Sequence, residues 1–258
     1  MSFVYTGLVS AGGLFLGMLG SLEVGRRLGM RRLASDPEGA RAGFGAVEGA
    51  VFGLLGLLVA FTFSGAAGRF DVRRQLIVEE TNAIGTAWLR IDLLSPNAQP
   101  PLRDSFRRYV DARLSAYGKL PDVEAAFREL ARANAMQGEI WTRAVTACRT
   151  DGSPPATMLL LPALNQMIDI TTTRTMAAQT HPPTIVFAML SGLALVSSLL
   201  AGYGMAGGKR RSWVHMVSLA AILATTVYVI GDIEYPRLGL IRVEAFDQTL
   251  VDLRRSMN

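Results

Sequence analysis

The sequence predicts an all-α integral membrane protein, with four transmembrane helices in two hairpins and a helical domain between them. Three observations carry this. Only 18% of the 258 residues are charged and 50% are apolar, whereas soluble domains carry roughly a quarter charged residues. Asp, Glu, Lys and Arg are absent from four windows, 1–22, 49–68, 175–208 and 212–231, each reaching the roughly 20 residues that a helix rising about 1.5 Å per residue needs to cross a 30 Å hydrocarbon layer. The long remaining stretch, 69–181, has ordinary charge content and alternates apolar and polar residues at helical spacing.

The first span runs from about Phe3 to Leu22. Its flanking Arg26 and Arg27 follow the apolar run and do not precede it, so it reads as a retained helix and not as a secretory signal. Gly13 and Gly17 in this span, and Gly45 and Gly49 at the start of the second, have the spacing that lets membrane helices approach closely. Span 2 covers about Gly45 to Gly65, with Glu48 near one end. A carboxylate there must sit in the headgroup layer, be paired, or face a wet path between helices.

Beyond it, RFDVRRQLIVEETNAIGTAWLRIDLL places Phe70, Leu76 or Ile77, Ile84 and Leu89 as apolar positions, with Glu79, Asn82, Thr86 and Arg90 on an opposing face. That helix could continue span 2. Pro96, Pro100 and Pro101 break the pattern before a second helix that ends at Gly118, and Pro121 opens a third through about Arg149. After DGSPP, the segment ATMLLLPALNQMIDITTTRTMA is as apolar at its start as a span, yet it is short, contains Pro162 and turns polar by Asn165. It reads as the buried helix of the domain. Spans 3 and 4, about Thr184 to Met205 and Trp213 to Ile230, form a hairpin closed by GKRR. The expected divisions are a first transmembrane hairpin over 1–68, the helical domain over 69–181, the second hairpin over 182–231, and an amphipathic tail over 232–258 that packs on the helical domain.

The composition excludes several functions. A single cysteine, Cys148, rules out a disulfide framework, and two histidines leave little to build a metal centre, so no metal and no cofactor is expected. A net charge of +5 would suit nucleic acid, but the basic residues of RFDVRR, SFRRYVDAR and DLRRS alternate with acids and leave no basic stripe. The expected partner is therefore the lipid bilayer, and no nucleic acid. No GxSxG, phosphate-binding glycine loop or HExxH is present, which argues against an enzyme.

Three polar groups stand out. Glu79, Asn82, Thr86 and Arg90 share one helical face; Asn165, Asp169, Thr172, Thr173 and Arg174 form a second group in apolar sequence. Both read either as an interhelical hydrogen-bond network or as an ion vestibule continuous with a membrane pore. Asp232 and Glu234, just beyond span 4, read as a cation site or as a cap paired with arginines.

The segment RFDVRRQLIVEETNAIGTAWLRIDLL resembles the bestrophin-like membrane proteins of bacteria, an uncharacterised family distantly related to the bestrophin anion channels. The resemblance extends to the RRYVDAR segment ending at Arg113, to LNQMIDITTTR at Leu164 to Arg174, and to the Asp232, Pro236 and Gly239 pattern after span 4. It implies a homo-oligomer, with the pentamer of the bestrophin channels as the expected assembly, and a pore lined by span 2. Phe52, Phe61 and Phe63 become neck candidates, and Gly53, Gly56, Gly65 and Gly68 supply small pore residues. Arg69, Arg73 and Arg74 would attract small anions at the pore mouth. The sparse acids Asp232 and Glu234 do not imply calcium gating.

The positive-inside count, eight Lys or Arg in the short loops against six near the opposite membrane ends, would place the helical domain outside the cell. The resemblance instead places it in the cytosol, at the bacterial inner membrane, and that placement is the one expected. The resulting function is an oligomeric ion channel of anion type. The alternatives are a non-conducting membrane scaffold or sensor and a membrane enzyme of unknown chemistry.

Overall fold

In the computed structural model the described residues are 3–36, 44–151, 153–208 and 212–257. They form α-helices with short 3-10 turns, and no strand occurs among them. Four stretches are long and apolar enough to cross a membrane. The chain divides into two compact units, one of residues 1–68 with 181–240 and one of residues 69–180 with 241–258.

The first unit contains α1 (Phe3–Ser35), the first half of α2 (Phe44–Arg90), α6 (Thr184–Gly204) and α7 (Trp213–Glu234). Here α1 packs along α6 and α7. Its glycines decide how closely. A Cβ on Gly25 would overlap the backbone carbonyl of Leu199, one on Gly29 the carbonyl of Tyr203, and one on Gly202 the carbonyl of Leu22. Backbone therefore meets backbone, where lipid supplies no hydrophobic drive and dispersion contact must hold helices together. The expected glycine pairs lie elsewhere: Gly13, Gly45 and Gly49 face open space, and only Gly17 approaches a neighbour, Leu195. The operative small-residue pair is Gly25 with Gly29, one turn apart in the basic end of α1 that hydropathy leaves outside the span. Met18, Ala194 and Ala220 form the apolar core of one level, and Leu22, Ala201 and Met216 that of the next.

The second unit contains the rest of α2, then α3 (Gln99–Gly118), α4 (Val123–Asp151), α5 (Pro154–Gln179) and α8 (Glu244–Ser256). The prolines expected as breaks open helices: Pro100 and Pro101 fall in the first turn of α3, where their missing N–H groups have no intrahelical duty. In α5, Ser153 caps the start by accepting the Ala156 N–H. The core joins Trp88, Phe106, Tyr109, Ile140, Leu160, Leu164, Met167 and Leu250, drawn from five helices. Leu250 brings α8 onto this core, and a bidentate ion pair from Arg254 to Asp111, at 2.7 and 3.0 Å, fastens its outer side.

Candidate functional site

The most unusual element is α2, a single helix of 47 residues. In the first unit its inward side is marked by Leu55 and Ala66, both buried. The opposite side carries Leu54, Leu57, Phe61, Ser64 and Gly68 in an i, i+3, i+7 series, all exposed, with Phe61 at 68%. Built Cβ atoms on Gly53, Gly56 and Gly68 meet nothing within 4 Å. A helix this apolar with one open face is covered by lipid or by another chain.

The neck candidates separate on this helix. Phe52 packs against the Leu22, Ala201 and Met216 cluster, so it belongs to the chain's own core and not to the open face. Phe61 stands on the open face, and Phe63 is exposed away from it. Glu48 is half-buried, one turn before Phe52 and two before Leu55, on the inward side of α2 and away from the open face.

In the second unit α2 keeps one exposed stripe: Asp71, Gln75, Val78, Glu79, Asn82, Thr86 and Leu89. Three of the four residues grouped from sequence, Glu79, Asn82 and Thr86, are thus on the surface and not in an internal network. Gln75 donates to Glu79 at 2.7 Å. Leu89, expected to be buried, is 67% exposed, and its place in the core is taken by Ala87, Trp88 and Ile91. The fourth residue, Arg90, donates to the Leu159 carbonyl at 2.6 Å.

The arginines expected at a pore mouth are differently engaged. Arg73 is 7% exposed and donates to the carbonyl oxygens of Ala177 and Thr180 at 3.0 and 2.8 Å, satisfying the last turn of α5. Arg74 pairs with Asp71 at 3.1 Å and lies over the Phe70 and Phe246 rings. Arg69 is half-buried and makes its own interactions. Arg73 is a buried tie to the end of α5, whereas Arg74, with its side chain 40% exposed, forms a surface pair with Asp71.

The second polar group also divides. Asn165, Asp169, Thr172 and Thr173 are exposed, whereas Arg174 points the other way, into a buried ionic cluster. Glu80, at 0% exposure, takes Arg113 Nη2 at 2.6 Å on one oxygen and Arg174 on the other, and Arg174 also reaches Asp247 of α8 at 3.3 Å. Arg174 lies over the Tyr117 ring at 4.2 Å, and Arg113 donates to the Tyr117 hydroxyl at 2.6 Å. Burial opposes the charge on each guanidinium, but Tyr117 and Glu80 outweigh it, so both pKa values move up. Beside them Gln137 donates to Tyr109 and Thr171.

Glu80, Arg113 and Asp247 were not distinguished by sequence reasoning. A signal existed: Glu80 sits in the stripe of Leu76, Ile77, Ala83, Ile84 and Ala87, and Arg113 in that of Phe106, Tyr109, Val110 and Ala116, each a charge at a core position.

Asp232 is buried and its carboxylate accepts the Leu240 N–H at 2.9 and 3.0 Å and the Tyr228 hydroxyl at 3.3 Å. Gly239 lies so close that a Cβ would overlap the carboxylate. Glu234 is fully buried with His181 Nδ1 at 3.6 Å, and His181 stacks on Tyr235. Asp232 thus caps the turn after α7, and Glu234 stands beside His181. Among the described residues no group of three His, Cys, Asp or Glu could hold a metal ion.

The bestrophin-like domain family matches residues 13–245, nearly the whole chain. The chain belongs to the bestrophin-like family. No protein of curated function matches it. Among solved structures, a tyrosine-to-alanine variant of a bacterial bestrophin homologue from Klebsiella pneumoniae superposes with a TM-score of 0.63 at 14% identity, covering 92% of this chain and 99% of that one. A tryptophan-to-alanine variant of the Klebsiella protein gives 0.62 at 15% identity, covering 97% and 96%. At this identity the likeness concerns the fold, which is all-α and bestrophin-like. The chain is accordingly a bestrophin-like membrane protein with four helices long and apolar enough to span a bilayer.

Proposed function

We propose that several copies of this chain assemble around an axis lined by α2 and conduct ions along it. The observation that carries this reading is the open face of α2, which exposes Leu54, Leu57, Phe61, Ser64 and Gly68 in a helix otherwise packed through Leu55 and Ala66. A ring of such helices would place apolar side chains and open glycines at the axis in the membrane and polar side chains beyond it. Phe61 would form the neck, where an apolar constriction gates by excluding water, whereas Phe63, about 200° round the helix from it, does not share its face. Phe52 has no part in that ring because its side chain is used within the chain.

The helical domain is proposed to face the cytosol, and five copies is the number expected from the resemblance. The resemblance also implies anions. Within the chain, Arg73 is fixed by carbonyls at the end of α5 and Arg74 is offset by Asp71.

Two measurements test the reading together. The mass of the purified protein in detergent should correspond to a closed oligomer, and the same material in planar bilayers should carry current that changes with Phe61→Ala. A monomer, or a verified oligomer without current, would refute it.

A further inference from the structure

We propose that the groove between α1, α6 and α7 holds a phospholipid, with an ester carbonyl on the Ser10 hydroxyl and the upper part of one acyl chain against Leu14 and Phe187. The inference rests on these three helices spanning the membrane and not on conduction. It lies wholly within the first unit.

The groove has a volume of about 280 Å³. Along it α1 contributes Gly7, Ser10 and Leu14 from a single face, α6 contributes Phe187 and Ser191, and α7 contributes Gly231. Its two glycines shape it differently. A Cβ on Gly7 would come 3.2 Å from the Tyr228 ring, so the bare backbone lets α7 close on α1, whereas a Cβ on Gly231 meets nothing within 4 Å and would stand in open space.

The dimensions select the occupant. The lining runs along α1 from Phe3 to Leu14, eleven residues or about 16 Å. Spread over that length, 280 Å³ averages about 18 Å² in cross-section, far below the roughly 80 Å² of a helix about 10 Å across. The slot therefore suits a single extended chain and not a helix of a second copy.

One end of the groove is interfacial. Phe3 meets Tyr235 with ring centroids 4.7 Å apart, and Tyr235 stacks on His181 at 4.3 Å, a polar and aromatic composition that suits a membrane edge. Ser10 lies seven residues, about 10 Å, inward from Phe3. The interfacial layer is about 5–7 Å thick, so this hydroxyl stands where ester carbonyls enter the hydrocarbon. Ser10 is exposed, and among the described residues its hydroxyl has no hydrogen-bond partner. An unmet hydroxyl in lipid is costly, and an ester carbonyl satisfies it. The charged residue of the lining, Asp232, is buried and already accepts from the Leu240 N–H and the Tyr228 hydroxyl. No Lys, Arg or His lines the groove, so the chain and its ester are recognised and the headgroup is not.

The test is native mass spectrometry of the purified protein, stripped of lipid in detergent and incubated with dioleoyl phosphatidylethanolamine, with dioleoyl phosphatidylglycerol, or with the dialkyl ether analogue of the former. Every wild-type chain should take up a lipid, and the two ester lipids should bind alike. Gly231→Leu, which fills the slot, should abolish the bound mass, while Gly12→Leu, outside the lining, should keep it. Ser10→Ala should weaken binding of the ester lipids about fivefold, as the loss of one hydrogen bond would, and the ether lipid should bind wild type and Ser10→Ala equally. Wild type that takes up no lipid, Gly231→Leu that keeps it, a preference between the two headgroups, or an ether lipid held by wild type as tightly as the ester would overturn the inference.

Discussion

Glu80→Gln probes the most concentrated charge in the helical domain. The substitution keeps the shape of the side chain and removes the charge that meets two buried guanidiniums. Arg174 retains Asp247, but Arg113 keeps only the Tyr117 hydroxyl. Removing one partner from a buried pair costs about 3–5 kcal/mol, because the remaining charge stays out of water without compensation. The unit holds about 130 residues, and at an unfolding entropy near 2.1 cal/mol/K per residue each kcal/mol shifts its midpoint by about 4 °C, giving a fall of roughly 11–18 °C. The assay is thermal unfolding in detergent followed by circular dichroism at the helical band. A variant combining Glu80→Leu, Arg113→Met, Arg174→Met and Asp247→Asn should recover most of the loss, since no charge is then buried. A midpoint for Glu80→Gln within about 3 °C of wild type, or a fourfold variant no better than the single one, would refute the reasoning.

Other expectations follow from single contacts. Gly202→Leu should break the contact of α6 with the Leu22 backbone and yield heterogeneous protein on size exclusion, whereas Gly12→Leu, on an open face, should elute as wild type. Tyr109 has its phenol pushed well above the usual range, chiefly by burial. Its proton is held in the folded state while the unfolded state releases it near pH 10, so stability should fall as pH rises past that point, and Tyr109→Phe should flatten the dependence in chemical unfolding. Glu139 is held below the usual carboxylate range: burial, the largest single effect, opposes this, but Arg108 and Arg143 together prevail. Its contribution is present above the unfolded value and lost as pH falls through the lowered one; with a partly exposed carboxylate, Glu139→Gln should cost less than about 1 kcal/mol at neutral pH and nothing in acid.

The spans were legible because a membrane helix must be both long and uncharged, and α6 and α7 begin at Thr184 and Trp213, where the sequence places them. The prolines at 100, 101 and 154 likewise mark helix starts, since a proline has no N–H to lose there. Charges were harder to read. Glu79 and Glu80 are neighbours in sequence, but the 100° turn between them sends one to the surface and the other into the core, and periodicity favours apolar residues when it assigns the inward face. Arg73 and Arg74 pose the same problem, because a basic run at a membrane edge looks the same whether its guanidiniums meet water or cap the end of α5. The glycines of span 2 could not be placed from spacing alone. Close approach falls instead at Gly25, Gly29 and Gly202, where a partner helix is needed to distinguish packing from open space.

The central claim, that the open face of α2 lines an ion path, is tested most directly by cysteine block. The only native thiol, Cys148, is buried in the helical domain and gives little background. Ser64→Cys and Gly68→Cys should give bilayer currents that a charged, water-soluble thiol reagent blocks, while Leu55→Cys, turned into the helical packing, should remain insensitive. Block at Leu55→Cys with none at Ser64→Cys or Gly68→Cys would contradict the account.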